Sequence, residues 1–190
     1  MSFAPGTVAS GDRLVLFAET INGGGDSAQL AVPGWTTLHE GRQGDESNGN
    51  WRYLAATKVA DGTESPTAYI VNMTNGGSFE AGMLFRIPGG ATIESSAIGL
   101  GPNMNSPGLA ASLTPGAEGR IVGVGQQYAT ATFTNTETIL VQNAGAGTGA
   151  SHAVVDRGIH PAGVAVSTGG FIASTSRVQV SVFIMNLVPA

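Results

Sequence analysis

The sequence contains three histidines, the residues best suited to act as a general acid or base or as a metal ligand near neutral pH. His152 and His160 lie eight positions apart with Asp156 midway, and His39 stands beside Glu40. A spacing of four brings side chains together on a helix, but the pattern around His152 is that of a strand. On a strand, His152 and Asp156 share a side yet stand ~13 Å apart, which is too far for a shared ligand. We therefore interpret the three histidines as surface or turn residues.

Oxygen-bearing side chains are concentrated in one stretch, residues 41–50. Its carboxylate and amide donors are of the kind that Ca²⁺ binds: Asp45, Glu46, Asn48 and Asn50. The fixed spacing of a calcium-binding loop is absent, so we interpret the stretch as a solvated hairpin loop. The glycine-rich run 144–149 after Asn143 is followed by a strand pattern, whereas a dinucleotide-binding loop needs a helix there. We interpret it as a hairpin tip and predict no metal and no cofactor.

Composition removes several further classes of site. The 190 residues include no Cys, so a thiol nucleophile, a Cys-based metal site and a disulfide framework are excluded. No Ser stands in the Gly-x-Ser-x-Gly pattern of a nucleophile elbow. The net charge is −5 and Lys58 is the single lysine, so a basic nucleic-acid footprint is absent. The sequence therefore predicts no catalytic residue, no enzyme activity and no nucleic-acid binding.

Aromatic side chains leave two interpretations open. Sugars stack on exposed aromatic rings, and the candidates for such contacts are Trp35, Trp51, Tyr53, Tyr69 and Tyr128. Trp51 and Tyr53 share one face of a predicted strand, and Trp35 begins another after a Pro-Gly turn. Core filling is the interpretation that we favour, and carbohydrate binding is the alternative.

Short stretches with a period of two position all these residues and predict an all-β fold. In Phe79–Ile87 the odd-numbered residues are apolar or small throughout, as in a strand with one buried face. Val178–Val188 repeats the pattern. The other predicted strands are Arg13–Thr20, Trp35–His39, Trp51–Val59, Thr67–Asn72, Arg120–Tyr128, Thr136–Gln142, Ser151–Arg157 and Gly163–Ser167. Gly- and Asn-rich turns separate them.

An internal repeat divides the chain into two similar halves, about 5–95 and 116–190. The segments that align are 11–15 with 118–122, 36–38 with 138–140, 51–58 with 151–157, and 83–88 with 183–189. Residues 96–115 are rich in Gly, Pro, Asn and Ser, show no alternation and are predicted to be a connector. Each half has an apolar strand face that it cannot hide alone.

One domain over residues 1–190 satisfies this requirement. We predict a β-sandwich of jelly-roll type with two antiparallel sheets and about ten strands. The alternative is two small separate barrels, each with a thin core. The N-terminal residues show neither the basic nor the apolar region of a signal peptide, and no apolar run reaches the ~18 residues of a membrane span. We expect a chain made in the cytoplasm that does not contact a membrane.

Several motifs resemble a known module: Gly-Asp-Arg-Leu-Val-Leu-Phe at 11–17, Pro-Gly-Trp-Thr-Thr-Leu at 33–38, the strand 51–62, and Phe-Glu-Ala-Gly-Met-Leu-Phe-Arg-Ile-Pro-Gly at 79–89. The chain resembles, over roughly residues 5 to 188, the β-sandwich modules of tailed-bacteriophage virion proteins and of some bacterial surface proteins. The second half departs from the pattern because it has no Trp and no Pro-Gly-Trp-Thr.

The resemblance implies a non-enzymatic virion structural protein. We expect a head decoration protein that binds the outer capsid surface, with the major capsid protein or other virion proteins as partners. A homo-trimer is the expected oligomer, and a monomer seated on each hexamer is the alternative. A tail- or fibre-associated carbohydrate-binding module for host adsorption, with a glycan as partner, is the second functional hypothesis. The expected location is the virion.

Overall fold

The computed structural model describes residues 2–3, 7–22, 30–43, 50–64, 69–70, 72–73, 79–101, 108–127, 130–143, 151–175 and 180–190. These described residues form strands, turns and bends, with no helix among them, and every strand pairing is antiparallel. The predicted all-β class is therefore confirmed. The chain divides into two compact units, residues 1–91 with Ala190 and residues 92–189.

Unit 1 is built on a four-stranded sheet. Its strands in chain order are β1 (Ser2–Phe3), β2 (Arg13–Asn22), β3 (Leu30–Ala31), β4 (Thr36–Gln43), β5 (Asn50–Val59), β6 (Tyr69–Ile70), β7 (Asn72–Met73) and β8 (Phe79–Ile87). The sheet order is β4-β5-β2-β8, and β1 pairs with β6 and β3 with β7. On one sheet face Leu16, Ala18, Leu54 and Ala56 are buried, and Val32, Trp35 and Leu84 pack against them.

Unit 2 is built on a five-stranded sheet. Its strands are β9 (Thr92–Gly101), β10 (Ser112–Leu113), β11 (Gly119–Gln127), β12 (Phe133–Thr134), β13 (Ile139–Asn143), β14 (Ser151–His160), β15 (Val166–Ser167), β16 (Ile172–Ala173) and β17 (Val180–Val188). The sheet order is β13-β14-β11-β17-β9, with β10 paired to β15 and β12 to β16. The core is formed by Ala111, Ile121, Ala131, Phe133, Ala153, Val155, Val166, Phe171, Ala173, Val182 and Ile184.

This core joins the five-stranded sheet to the short strands. Ile121, Val155 and Ile184 lie on the sheet, whereas Phe133 lies on β12 and Val166 on β15. Apolar side chains of the two layers meet, as in a β-sandwich. Gly125 allows the closest approach, because a Cβ there would lie 2.7 Å from atoms of the Phe171 ring.

The two units repeat one strand order. With β9 set aside, β2 and β11 hold the same place in their sheets: β2 lies between β5 and β8, and β11 lies between β14 and β17. The strands β4 and β13 lie outside β5 and β14. Arg13 lies opposite Val59 and Ile87, and Arg120 lies opposite Ile159 and Leu187. The strand β9 has no counterpart among the described residues of unit 1.

The residues predicted as connector 96–115 contain regular structure, which corrects that prediction. Residues 96–101 belong to β9, which pairs with β17 over nine positions, and β10 lies within the same segment. The strand was not predicted because the segment Ser95-Ser96-Ala97-Ile98-Gly99 consists mostly of small residues and lacks the alternation of apolar and polar residues that indicates a strand. The jelly-roll connectivity, the count of about ten strands and the single domain stay predictions.

Strand ends also differ from the predictions. The chain around β14 was expected to turn at Gly158, but β14 continues to His160 through a register shift on its pairing with β11. Gly158 has a φ of 73°, a backbone conformation that favours glycine, so the strand can bend there without ending. The predicted strand Phe79–Ile87 matches β8 at both ends.

Candidate functional site

The structure does not bring the three histidines together. His39 is half-buried on β4, where it lies opposite Ala55 beside a register shift. His152 and His160 lie at opposite ends of β14, and the Nε2 atom of His160 is 3.0 Å from the carbonyl oxygen of Arg157. Asp156 lies between them on the same strand. A shared histidine site is therefore absent from the described part of the chain.

His152 is buried, so its prediction as a surface or turn residue was wrong. Residues 151–155 on β14 are all buried, so both faces of the strand are shielded from solvent there. Burial lowers the pKa of His152 to about 4, because a charged imidazolium would lose its hydration. The imidazole is therefore neutral at physiological pH.

The neighbours of His152 form a buried polar row across the sheet. His152 lies opposite Gln126, and Gln126 lies opposite Ser181 on β17. The Gln126 Nε2 atom donates a hydrogen bond of 2.8 Å to Ser181 Oγ. Two strand spacings of about 4.8 Å separate His152 from Ser181, which puts the hydroxyl beyond the reach of the imidazole as a general base. The row contains a Ser and a His but does not activate a nucleophile.

In unit 1 a carboxylate ties the start of β2 to the end of β8. Asp12 Oδ2 accepts hydrogen bonds from the backbone N–H of Ala9 at 2.9 Å and from Arg86 Nε at 2.7 Å. These two donors hold the pKa of Asp12 below its usual value. Arg13 donates from Nε to the carbonyl oxygen of Ala91 at 2.9 Å. The charges here hold strand ends together.

A second carboxylate organises the turn after β5. Glu64 accepts from the backbone N–H groups of Asp61 and Gly62 at 3.0 and 2.9 Å, and it pairs with Lys58 Nζ at 3.0 Å. Burial of its carboxylate raises the pKa of Glu64, but Lys58 and the backbone donors outweigh burial and hold that pKa below its usual value. Thr63 donates to Asp61 Oδ1 and closes the turn. The carboxylates of Glu64 and Asp61 both have pKa values below their usual range, and their hydrogen bonds stabilise the turn.

Unit 2 uses its charges in the same way. Arg120 Nε donates to both carboxylate oxygens of Asp156, at 3.1 and 2.9 Å, across the β11–β14 pair. The Arg120 hydrogen bond and the Gly158 backbone N–H lower the pKa of Asp156. Arg157 forms an ion pair with Glu137. These pairs fix the β11–β14 end of the sheet and leave no converging acid and base.

Glu94 supplies the matching tie for β9. Asn186 donates from Nδ2 to Glu94 Oε2 at 3.0 Å and to the carbonyl oxygen of Ala117 at 2.9 Å. The backbone N–H of Gly116 donates to the other oxygen of Glu94 at 3.1 Å. Hydrogen bonds from Ser95 and Asn186 lower the pKa of Glu94. No local pattern in the sequence indicates this tie, because Glu94 and Asn186 lie 92 positions apart in the chain.

The candidate calcium and phosphate stretches lie mostly outside the described residues. This holds for Asp45, Glu46, Asn48 and the run 144–149, while Asn50 begins β5. Within the described ranges, no group of three or more His, Cys, Asp or Glu side chains could hold a metal ion.

Two aromatic side chains belong to the interior of unit 1. Trp35 packs against the cluster of Leu16, Ala18, Leu54 and Ala56. Tyr53 is buried on β5, and burial raises the pKa of its hydroxyl. Core filling is confirmed for Tyr53, and Trp35 is half-buried against the core cluster. Tyr128 and the side chains of Trp51 and Tyr69 lie outside the described part of the chain.

Comparisons of the chain with protein-family models, with curated proteins and with solved structures found no match. Within the described residues, no helix has the length and hydropathy of a membrane span.

Proposed function

We propose that this chain is a non-enzymatic structural protein of a tailed-bacteriophage virion. Within the virion it decorates or cements the outer capsid surface through contacts with the major capsid protein. It folds as one jelly-roll-type sandwich, is made in the host cytoplasm and acts in the assembled particle. The motifs at 11–17, 33–38, 51–62 and 79–89, which resemble virion modules, support the choice of class.

One observation carries the non-enzymatic part of the proposal. The charged groups described above form ion pairs near the ends of strands. These pairs are Asp12 with Arg86, Glu64 with Lys58, Asp156 with Arg120, and Glu137 with Arg157. A catalytic site needs an acid, a base or a nucleophile that converges on one point. These carboxylates are already committed to hydrogen bonds that lock the sheets, which suits a rigid assembly subunit.

The carbohydrate-binding alternative receives less support. Sugar stacking needs an exposed aromatic face, and Tyr53 is buried while Trp35 packs in part against the core cluster of unit 1. The glycan hypothesis would then depend on Trp51, Tyr69 or Tyr128. It serves as the competing outcome in the experiment below.

Co-sedimentation tests the proposal. The purified chain is titrated onto empty, undecorated heads assembled from the major capsid protein of the same genome, and the bound amount is measured after sedimentation. Decoration predicts saturation at a fixed number of copies per capsid subunit, because the lattice offers a fixed number of equivalent positions.

A glycan array is read in parallel with the same preparation. Saturable binding to heads together with a blank array supports decoration. A folded chain that does not sediment with heads overturns the proposal, and if that chain binds a defined glycan, the adsorption module replaces it. Cross-competition by free glycan for head binding would also contradict decoration.

A further inference from the structure

The outer edge of β8 is a long and regular sheet edge. β8 pairs with β2 over nine positions, from Phe79 opposite Ile21 to Ile87 opposite Arg13, without a register shift. Within the described residues, no strand lies beside the other edge of β8. Such an edge presents a row of backbone N–H and C=O groups that can pair with another strand, and bulges or proline usually interrupt it. β8 contains neither.

In unit 2 the strand that corresponds to β8 is not an edge strand, because another strand pairs with it. There β17 holds the position of β8, and β9 pairs along its outer edge over nine positions. Phe183, Ile184 and Met185 on β17 are at most 2% exposed. The corresponding residues of β8, namely Met83, Leu84 and Phe85, are only half-buried. An added strand would therefore complete burial that the same architecture reaches elsewhere in this chain.

The sequence of β8 is complementary to itself in the antiparallel direction. A twofold axis at Met83 places Glu80 opposite the partner's Arg86 and Phe79 opposite the partner's Ile87. It also places small residues opposite large ones, Gly82 opposite Leu84 and Ala81 opposite Phe85. Opposite-charge pairs such as Glu80 with Arg86, and aromatic–β-branched pairs such as Phe79 with Ile87, are cross-strand combinations that stabilise antiparallel strands. Each favourable pair occurs twice because the axis is twofold.

We propose that two copies of this chain pair through the outer edges of β8, antiparallel and centred on Met83. The partner is a second copy because, in the antiparallel direction, the charged and apolar residues of β8 lie opposite complementary residues of the same strand. The paired sheets form one continuous eight-stranded sheet, β4-β5-β2-β8 followed by the same strands in reverse order. The dimer is twofold, whereas the sequence analysis expected a trimer. The pairing does not depend on head binding.

Cysteine cross-linking tests the register directly, since the chain has no native cysteine. A twofold axis at residue 83 brings the two substituted Cβ atoms of a Met83→Cys variant to about 5 Å from each other. A short bismaleimide should then join the two chains, and the product is read on a denaturing gel. Two controls are Val59→Cys, 50% exposed on the inner strand β5, and Glu40→Cys, exposed on the opposite edge strand β4.

A charge variant tests the same register without cross-linking. Glu80→Arg places arginine opposite the partner's Arg86, so the dissociation constant from sedimentation velocity should rise about tenfold. Glu40→Arg, on β4, is the matched control and should leave dimerisation unchanged. Circular dichroism confirms that each variant folds.

The proposal predicts a concentration-dependent dimer, selective cross-linking of Met83→Cys and weakening by Glu80→Arg alone. A wild-type chain that stays monomeric up to submillimolar concentration overturns it. A dimer that cross-links at Glu40→Cys, or equally at all three positions, assigns the interface elsewhere and overturns it too. If only an added strand from another polypeptide pairs with β8, the second copy is the wrong occupant.

Discussion

Arg86 and Asp12 join the end of β8 to the residue before β2 through a hydrogen bond of 2.7 Å from Nε to Oδ2. The repeat places Asn186 and Gly119 at the corresponding positions of unit 2. There Asn186 is buried and donates to the carbonyl oxygen of Ala117 and to Glu94. Unit 1 has Asp12 and Arg86 where unit 2 has Gly119 and Asn186. The strand ends are therefore connected by an ion pair in unit 1 and by hydrogen bonds from the Asn186 amide in unit 2.

The Asp12–Arg86 pair predicts acid sensitivity in unit 1. The pKa of Asp12 is lower in the folded chain than its ordinary value of 3.8, so the ionised carboxylate stabilises the fold above that pH. The stabilisation is lost as pH falls through the lowered pKa. Asp12→Asn should lower the melting temperature at pH 7. The melting temperature of this variant should also decrease less steeply than that of the wild type as the pH is lowered below about 4. Thermal melting followed by circular dichroism across pH measures this.

The control for that experiment is Asp61→Asn, in an exposed turn whose hydrogen bonds are local. It should change the melting temperature less than Asp12→Asn does, because it joins no two strands. Equal effects of the two variants would show that the Asp12–Arg86 junction has no special role.

His152 predicts a separate pH window. Its pKa is about 4 in the folded chain, against an ordinary value of 6.5 for an exposed imidazole, so the unfolded chain binds the proton first as pH falls. Well above pH 6.5 His152 is neutral in both states and does not contribute to the pH dependence of stability. As the pH is lowered from 6.5 to 4, the free energy of unfolding should decrease by up to about 3 kcal/mol. His152→Gln should remove this slope in urea unfolding. His160→Gln, on the same strand, controls for the loss of a histidine.

Period-two patterns predicted most of the long strands, because apolar side chains alternate with other side chains along them, and β8 was predicted to the residue. The strand β9 was missed because Ser, Ala and Gly carry no alternation, although a neighbouring β17 stabilises them as a strand. His152 was misplaced for the opposite reason. A strand buried on both faces shows no period in the sequence, so polar residues in it are read as exposed. Pairing between distant residues, such as Glu94 with Asn186, has no local signal.

The contact between Gly125 and Phe171 predicts a large effect of a small substitution. A Cβ at Gly125 would lie 2.7 Å from two ring atoms of Phe171, which is closer than carbon atoms pack. Gly125→Ala should destabilise the fold by about 1–3 kcal/mol through overpacking. Phe171→Ala should cost about 3–5 kcal/mol because it opens a cavity in the core of unit 2.

A double-mutant cycle separates this contact from a general effect of alanine. Gly125→Ala should cost less in a Phe171→Leu background, because the smaller side chain leaves room for the new methyl group. Strictly additive free energies of unfolding would contradict the packing explanation.

One folding unit over the full chain is the prediction for cooperativity. Differential scanning calorimetry should show a single transition for residues 1–190, and fragments 1–95 and 116–190 should be unfolded or insoluble. The second fragment also lacks β9 and so leaves the buried β17 without its outer neighbour. Two separate transitions, or a well-folded isolated half, would support two independent barrels instead.

If the chain decorates the capsid through the hairpin loops predicted at residues 41–50 and 144–149, these loops should matter more for head binding than the histidines do. Replacing residues 44–49 or 144–149 by short turns spares β4, β5, β13 and β14. Such variants should bind heads more weakly at an unchanged melting temperature, because the sheets keep their cores. The matched variant His39→Gln/His160→Gln should bind as the unaltered chain does.

Occupancy of undecorated heads is the decisive measurement for capsid decoration. Electron microscopy of heads saturated with the folded chain should show added density at symmetry-equivalent positions on the outer surface. That density should be depleted with the loop variants and retained with the histidine variant. Heads that stay bare at saturating concentrations of folded chain would contradict decoration. So would histidine substitutions that abolish function while both loop replacements leave head binding intact.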